Sequence, residues 1–310
     1  MRKVLGVLAA SVTAGLLAAA PSAAAVVPDC TGSHVQKTIY SGQPAIENLI
    51  VGGGGVLYTS GASETDQSLL SAFTKGKAAP RTVATGKPGG GGLAWDRKRL
   101  LWGYGDLFAN GSAGDLNPTA GLYSVNVSSG GKRVVSDHLG MANGIARDRN
   151  GFVYASNNLG LKLDRISPEG QTLNGWASLG SANGLTVGKN GRYLYANQMF
   201  ETPSTIAKID LKDPSKIWTY FTSPESANVL FDGLTHDADN NLYAAVFGKG
   251  EVWKISPSRQ VCVIASGLSQ TTSVAISGAK KGFKAGNLYA SGFDGKIVQV
   301  TGATKAGFPG

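Results

Sequence analysis

The chain has 310 residues, of which 44 are glycine, 42% are hydrophobic and only 16% are charged. That length holds one large all-β domain or two ordinary ones. The composition excludes a disordered chain or a coiled coil and favours many short strands joined by tight turns. The net charge of +9 is scattered, with short clusters only at Arg97-Lys98-Arg99 and Lys280-Lys281. A nucleic-acid binder gathers such charge on one face, so no nucleic acid is expected as a partner.

In chain order, the first segment is a targeting signal. Arg2 and Lys3 form a basic start, Val4 to Leu17 is uncharged and apolar, and Ala23-Ala24-Ala25 offers small residues for cleavage. Residues 1–25 therefore read as a secretory signal peptide, and residues 26–310 as a single domain. No later stretch is long and apolar enough to span a bilayer. The expected product is a secreted, extracellular monomer. Cys30 and Cys262 are the only cysteines. In an oxidising compartment they predict a disulfide, against the alternative of two buried thiols.

After residue 30, β-branched and aromatic runs alternate with Gly, Asn, Asp and Pro turns, an all-β pattern. One unit repeats: a polar residue, a short apolar strand, a turn, then a strand with an aromatic residue. Glu47 leads to Tyr58, and Gly91 leads to Trp102, each over eleven positions. Asn143-Gly144 leads through Asn150-Gly151 to Tyr154. Asn183-Gly184 leads through Asn190-Gly191 to Tyr195. Asp232-Gly233 leads through Asp239-Asn240 to Tyr243, and Thr272 leads to Tyr289. Starts lie about 40 to 52 residues apart, the size of a four-stranded propeller blade. The sequence thus predicts a six-bladed β-propeller with four-stranded blades. The last unit supplies three strands, and an N-terminal strand at Val35 to Ser41 is expected to complete it.

Lead positions of such blades face the central channel. Round the ring they read Glu47, Gly91, Asn143, Asn183, Asp232 and Thr272. Asn-Gly is the commonest hairpin dipeptide. A second Asn-Gly already fills the turn seven residues later, however, leaving Asn143 and Asn183 without a turn explanation. Two carboxylates and two amides suit a hard divalent cation, calcium in particular, with other divalent cations such as magnesium as alternatives.

At these residues the chain resembles the gluconolactonase, senescence-marker-protein and luciferin-regenerating-enzyme family, over roughly Tyr40 to Thr301. The resemblance implies a six-bladed propeller with calcium in its central channel, held by Glu47, Asn183 and Asp232. Asn143 would contact metal or substrate. The related diisopropylfluorophosphatase and paraoxonase enzymes use a similar glutamate, two asparagines and an aspartate. The implied reaction is hydrolysis of a small-molecule lactone or related ester, with Asp232 as general base or nucleophile. Two departures matter. Glu47-Asn48-Leu49-Ile50 replaces a Glu-Gly-Pro run, and Met141 stands where sugar-lactone relatives can carry arginine. Met141 fits a more apolar lactone or ester.

His236, four residues after Asp232, is a weaker channel candidate, as are Met141 and Thr272. The recurring tyrosines read as packing residues. No Gly-x-Ser-x-Gly elbow exists, and no phosphate loop follows the glycine runs. Two other readings stand beside the hydrolase. One is a metal-independent enzyme like strictosidine synthase, and the other is a non-catalytic secreted binding propeller.

Overall fold

The computed structural model describes residues 26–62 and 66–310. The expected signal peptide, residues 1–25, lies outside the described residues. No helix among them is long and apolar enough to cross a membrane.

Six four-stranded antiparallel sheets form six blades. Their innermost strands are Ile46–Val51, Leu93–Asp96, Ile145–Arg147, Ala182–Val187, Phe231–His236 and Thr271–Ile276. Each touches the innermost strands of both neighbours, so the six close a ring. The first five blades use four consecutive strands. The sixth uses three, and Val35–Tyr40 completes it by pairing antiparallel with Ile297–Thr301. The expected closure is therefore the observed one. The pairing covers the edge of Ile297–Thr301 that a three-stranded blade would leave open.

The turn dipeptides do what their chemistry dictates. Gly151, Gly191 and Asn240 adopt positive φ of 96°, 69° and 64°, a region costly for residues with a bulky Cβ. In two of these turns the aspartate that follows the inner strand braces the hairpin. Asp148 accepts from Phe152 N at 3.0 Å and Tyr154 Oη at 3.1 Å. Asp237 accepts from Asn241 N and Tyr243 Oη, both at 2.9 Å.

The core is divided into six apolar clusters, one at each seam between neighbouring blades. Tyr58, Tyr154, Tyr195, Tyr243 and Tyr289 are all buried in these seams. Such aromatic side chains contribute the largest buried area per residue. The second blade corrects the sequence ruler. Tyr154 pairs across from Ala146, but the residue opposite Ala94 is Leu101, not Trp102. The hairpin there turns tightly between the paired Asp96 and Arg99, so equal spacing overshoots by one. Trp102 consequently faces the first blade, where its indole donates to Ser60 Oγ at 2.8 Å.

The ends are pinned as well. Cys30 and Cys262 form a disulfide across a sequence separation of 232. The bond ties the segment before the closing strand to the outer strand Val261–Ala265 of the fifth blade. Cys30 N also donates to Val263 O at 2.9 Å.

Candidate active site

Glu47, Asn143, Asn183 and Asp232 lie at, or just before, the starts of four of the six inner strands, and all four are buried. Their side chains line one cavity of about 520 Å³ at the mouth of the channel. Each lead residue is positioned through its own backbone and through the glycine or strand that follows it. The Asn183 carbonyl accepts from Ser156 Oγ at 2.5 Å, and the Asp232 carbonyl accepts from Asn197 Nδ2 at 2.6 Å. In both cases the preceding blade supplies the brace. Gly144 and Gly184 pack so tightly on the next blade that a Cβ would meet the Asn183 and Asp232 carbonyl oxygens at 2.2 and 2.3 Å. The Asn-Gly and Asp-Gly pairs are therefore products of blade packing at the axis, with the polar partner left facing the channel.

The second blade contributes a residue that the spacing argument missed. Gly91 has no side chain to offer, and a Cβ there would lie 3.1 Å from the Cβ of Asp106. Asp106 comes from just beyond the second strand, Arg99–Tyr104, and lines the same cavity. Asn143 Nδ2 donates to its two carboxylate oxygens at 3.2 and 3.4 Å. The available signal was the gap itself: a glycine in the ring, with Gly105-Asp106 breaking the adjacent strand end.

Three carboxyl groups thus share one pocket. Burial, then the charges of Asp106 and Asp232, then a hydrogen bond with Asp106, push the Glu47 carboxyl well above its ordinary range. Burial and the Asp106 charge do the same to Asp232, partly opposed by a hydrogen bond from Asn183. Among the described residues, those lining the cavity include no lysine, arginine or histidine. Uncompensated carboxylates at close quarters are costly unless protonated or matched by a cation.

Among the described residues, no group of three or more His, Cys, Asp and Glu is arranged to hold a metal ion by itself. A cation here therefore needs amide oxygens in its shell, which Asn143 and Asn183 can supply. Hard oxygen donors without histidine or thiolate, on five separate blades, fit calcium or magnesium.

The weaker candidates separate. Met141 is buried in the cavity wall. His236 lines the opposite end of the channel, where its Nδ1 lies 2.9 Å from Thr186 Oγ1. Thr272 does not line the mouth. Its hydroxyl donates to the Ile46 carbonyl at 2.7 Å and stitches the sixth blade to the first.

Residues 157–283 match the SMP-30/Gluconolactonase/LRE-like region. No curated protein matches the chain in sequence. Solved structures match its fold. A gluconolactonase from Xanthomonas campestris superposes with a TM-score of 0.70 at 14% identity, covering 89% of this chain and 95% of the other. A luciferin-regenerating enzyme gives 0.66 at 17% identity, covering 90% and 98%. A virginiamycin B lyase from Staphylococcus aureus gives 0.58 at 12% identity, covering 87% and 99%. The chain is therefore a six-bladed propeller that carries the SMP-30/Gluconolactonase/LRE-like region over residues 157–283.

Proposed function

We propose that the protein is a secreted, calcium-dependent hydrolase acting on a lactone or related ester at the mouth of the propeller. The observation that carries this reading is the trio Glu47, Asp106 and Asp232, the first and last buried and Asp106 half-buried, beside two buried amides in a cavity where no basic side chain is found among the described lining residues. The family match and the gluconolactonase-like fold support the reaction class. The disulfide supports an oxidising, extracellular destination.

In this reading Glu47, Asn143, Asn183 and Asp232 hold the ion, and Asp106 adds a third carboxylate beside it. Bound calcium supplies positive charge that polarises an ester carbonyl and stabilises negative charge developing on its oxygen. Asp232 takes the proton of an attacking water and returns it to the alkoxide that leaves as the acyl C–O bond breaks, or its carboxylate displaces that alkoxide to form an acyl anhydride that water then hydrolyses. Asn143 orients the acyl group by hydrogen bonding. The buried, close-packed inner strands hold these side chains on rigid backbone, which suits a site whose geometry must not drift.

The test follows acid release from aliphatic, aromatic and sugar lactones, with chelator-stripped protein and after calcium is restored. Turnover should appear only with calcium and should vanish in Asp232→Asn. Turnover that is indifferent to chelation would favour the metal-independent reading. A protein that binds calcium yet turns over none of the panel would be a binding propeller.

A further inference from the structure

Three stretches of the chain contain no aspartate or glutamate: residues 30–46, 67–95 and 252–293. Far apart in sequence, parts of all three meet at the seam where the sixth blade closes on the first. There Lys37, Lys75 and Lys77 line a cleft of about 450 Å³, together with Tyr40, Gln299 and the buried Phe283. Lys280, Lys281 and Lys284 flank Phe283 on its own loop. All six lysines are exposed.

The backbone under these lysines is held in place. Tyr40 Oη donates to the carbonyls of Thr74 and Lys77, at 3.2 and 3.1 Å, and so clamps the turn that bears Lys75 and Lys77. The Tyr40 ring packs on Phe73 with centroids 4.7 Å apart. In the second loop, Phe283 N donates to Gly55 O at 3.0 Å across the seam, and Ala285 N donates to Ala279 O at 2.7 Å. Both loops follow strands that run away from the mouth, Ser68–Phe73 and Thr271–Ile276. The lysine-bearing loops therefore lie on the far side of the propeller from the carboxyl trio.

The charge gathered here is unmatched. Elsewhere basic side chains meet carboxylates: Arg147 with Asp96 at 2.9 Å, Lys216 with Asp213 at 3.0 Å, and Lys296 with Asp294 at 2.8 Å. Among the described residues, none of the six lysines forms such a pair. Like charges crowded together repel, and a bound polyanion relieves that repulsion. Lysine ammonium groups are point charges on flexible stems, so they read charge density rather than the orientation of one small anion. Planar recognition of carboxylates calls for the arginine fork, and the described lining residues include no arginine, whereas lysine serves phosphate well. Among the same residues no large apolar side chain is exposed, so nothing offers a stacking face to a base or a wedge to a bilayer.

The geometry points to a docking cleft for a phosphate-bearing polymer without bases, gripped by Lys37, Lys75 and Lys77 and followed along the second loop by Lys280, Lys281 and Lys284. Docked this way, the protein holds its mouth away from the polymer.

The test titrates the protein, in calcium-free buffer, with long-chain polyphosphate, inorganic phosphate, polygalacturonate, oligothymidylate and phosphatidylglycerol vesicles. Polyphosphate should bind, and its affinity should fall about tenfold or more between about 50 and 200 mM salt as counterions are released. Lys37→Gln, Lys75→Gln and Lys77→Gln together should weaken it about tenfold or more at the lower salt. The same change of charge across the molecule, Lys162→Gln, Lys189→Gln and Lys212→Gln, should leave the affinity near the parent's. If the first triple variant melts below the parent, Lys75→Gln alone, on its exposed turn, carries the comparison with a smaller loss. Equal losses in the two triple variants would mean attraction by net charge alone and would overturn the cleft. Polygalacturonate or inorganic phosphate binding as tightly as polyphosphate would overturn the choice of partner. Tighter binding of oligothymidylate or of vesicles, or no binding of polyphosphate, would overturn it too.

Discussion

Gly184 meets Asp232 across the seam between the fourth and fifth blades, where a Cβ on the glycine would fall 2.3 Å from the aspartate's carbonyl oxygen. The same contact that seals the seam fixes the backbone from which the Asp232 carboxyl projects. Packing and site geometry are therefore one constraint at this point, and substitutions should report on both.

Gly184→Ala should cost about 3 kcal/mol or more, because backbone of the next blade has to move. Gly53 is the control, since an added Cβ there would meet nothing within 4 Å and its φ is not positive. Gly53→Ala should stay within about 0.5 kcal/mol of the parent. Urea unfolding of the two variants measures the difference, and similar midpoints would refute the seam argument.

The carboxyl trio gives stability a pH dependence of definite sign. Glu47 and Asp232 have folded values raised well above their ordinary 4.5 and 3.8. Protons are thus bound more tightly in the folded state. Their contribution is fully present below the ordinary values and is lost as pH rises through the raised ones. Chelator-stripped protein should lose stability from about pH 4 upward. Glu47→Gln should flatten that slope, and an unchanged difference between parent and variant across the range would count against the cluster.

Cation binding should reverse this penalty. With calcium at about 1,000 times its dissociation constant, linkage stabilises the fold by about 4 kcal/mol. Asp106→Asn should weaken calcium affinity while raising the melting temperature of the stripped protein, since it removes a like charge from the pocket. Calorimetry with and without calcium tests both halves. A variant that melts lower when stripped would show that Asp106 has a different role.

His236 predicts the opposite pH behaviour. Burial pushes its imidazole below the ordinary 6.5, with Asp237 opposing in part. The folded state therefore disfavours the proton, and the contribution present above about 6.5 is lost as pH falls toward the lowered value. His236→Gln should remove that acid-side loss, read as the parent-minus-variant stability between about pH 7 and 5. Because the residue lies at the far end of the channel from the carboxylates, calcium affinity should not change.

The disulfide should matter mainly through the long loop it closes. Replacing both Cys30 and Cys262 by serine should cost about 2–4 kcal/mol. Amide exchange should quicken first in Val35–Tyr40, the strand that completes the sixth blade. Uniformly faster exchange instead would mean that the bond supports the whole ring rather than its closure.

The fold was legible because its repeat is written in residue types. Asn-Gly and Asp-Gly recur where blades crowd at the axis, and a tyrosine recurs where each second strand packs into a seam. Four of the residues now lining the mouth could be named from that register. Asp106 escaped because it enters from a strand end rather than from the repeating position, and no spacing rule reports a side chain that fills another residue's vacancy. Trp102 escaped for a related reason: a tighter hairpin shifts parity by one residue and turns the ring to the other face. Thr272 had the right register, but its hydroxyl found a nearer carbonyl. Met199, Phe247 and Phe293, which line the same cavity, have no mark beyond hydrophobicity, which in isolation is indistinguishable from core.

The pairing of Val35–Tyr40 with Ile297–Thr301 joins the two ends of the described chain, with Thr301 Oγ1 donating to the Val35 carbonyl across a separation of 266 residues. Blades one to five can each assemble from contiguous chain, yet the circle stays open until nearly all of it has been synthesised. Until then the outer strand of the sixth blade, made first, lacks the three strands Thr271–Ile276, Leu288–Gly292 and Ile297–Thr301 that it completes, and the faces of the fifth and first blades that flank the gap expose apolar surface. The growing chain is thus most exposed to misassociation just before completion, when five blades are ready and the clasp has not yet closed.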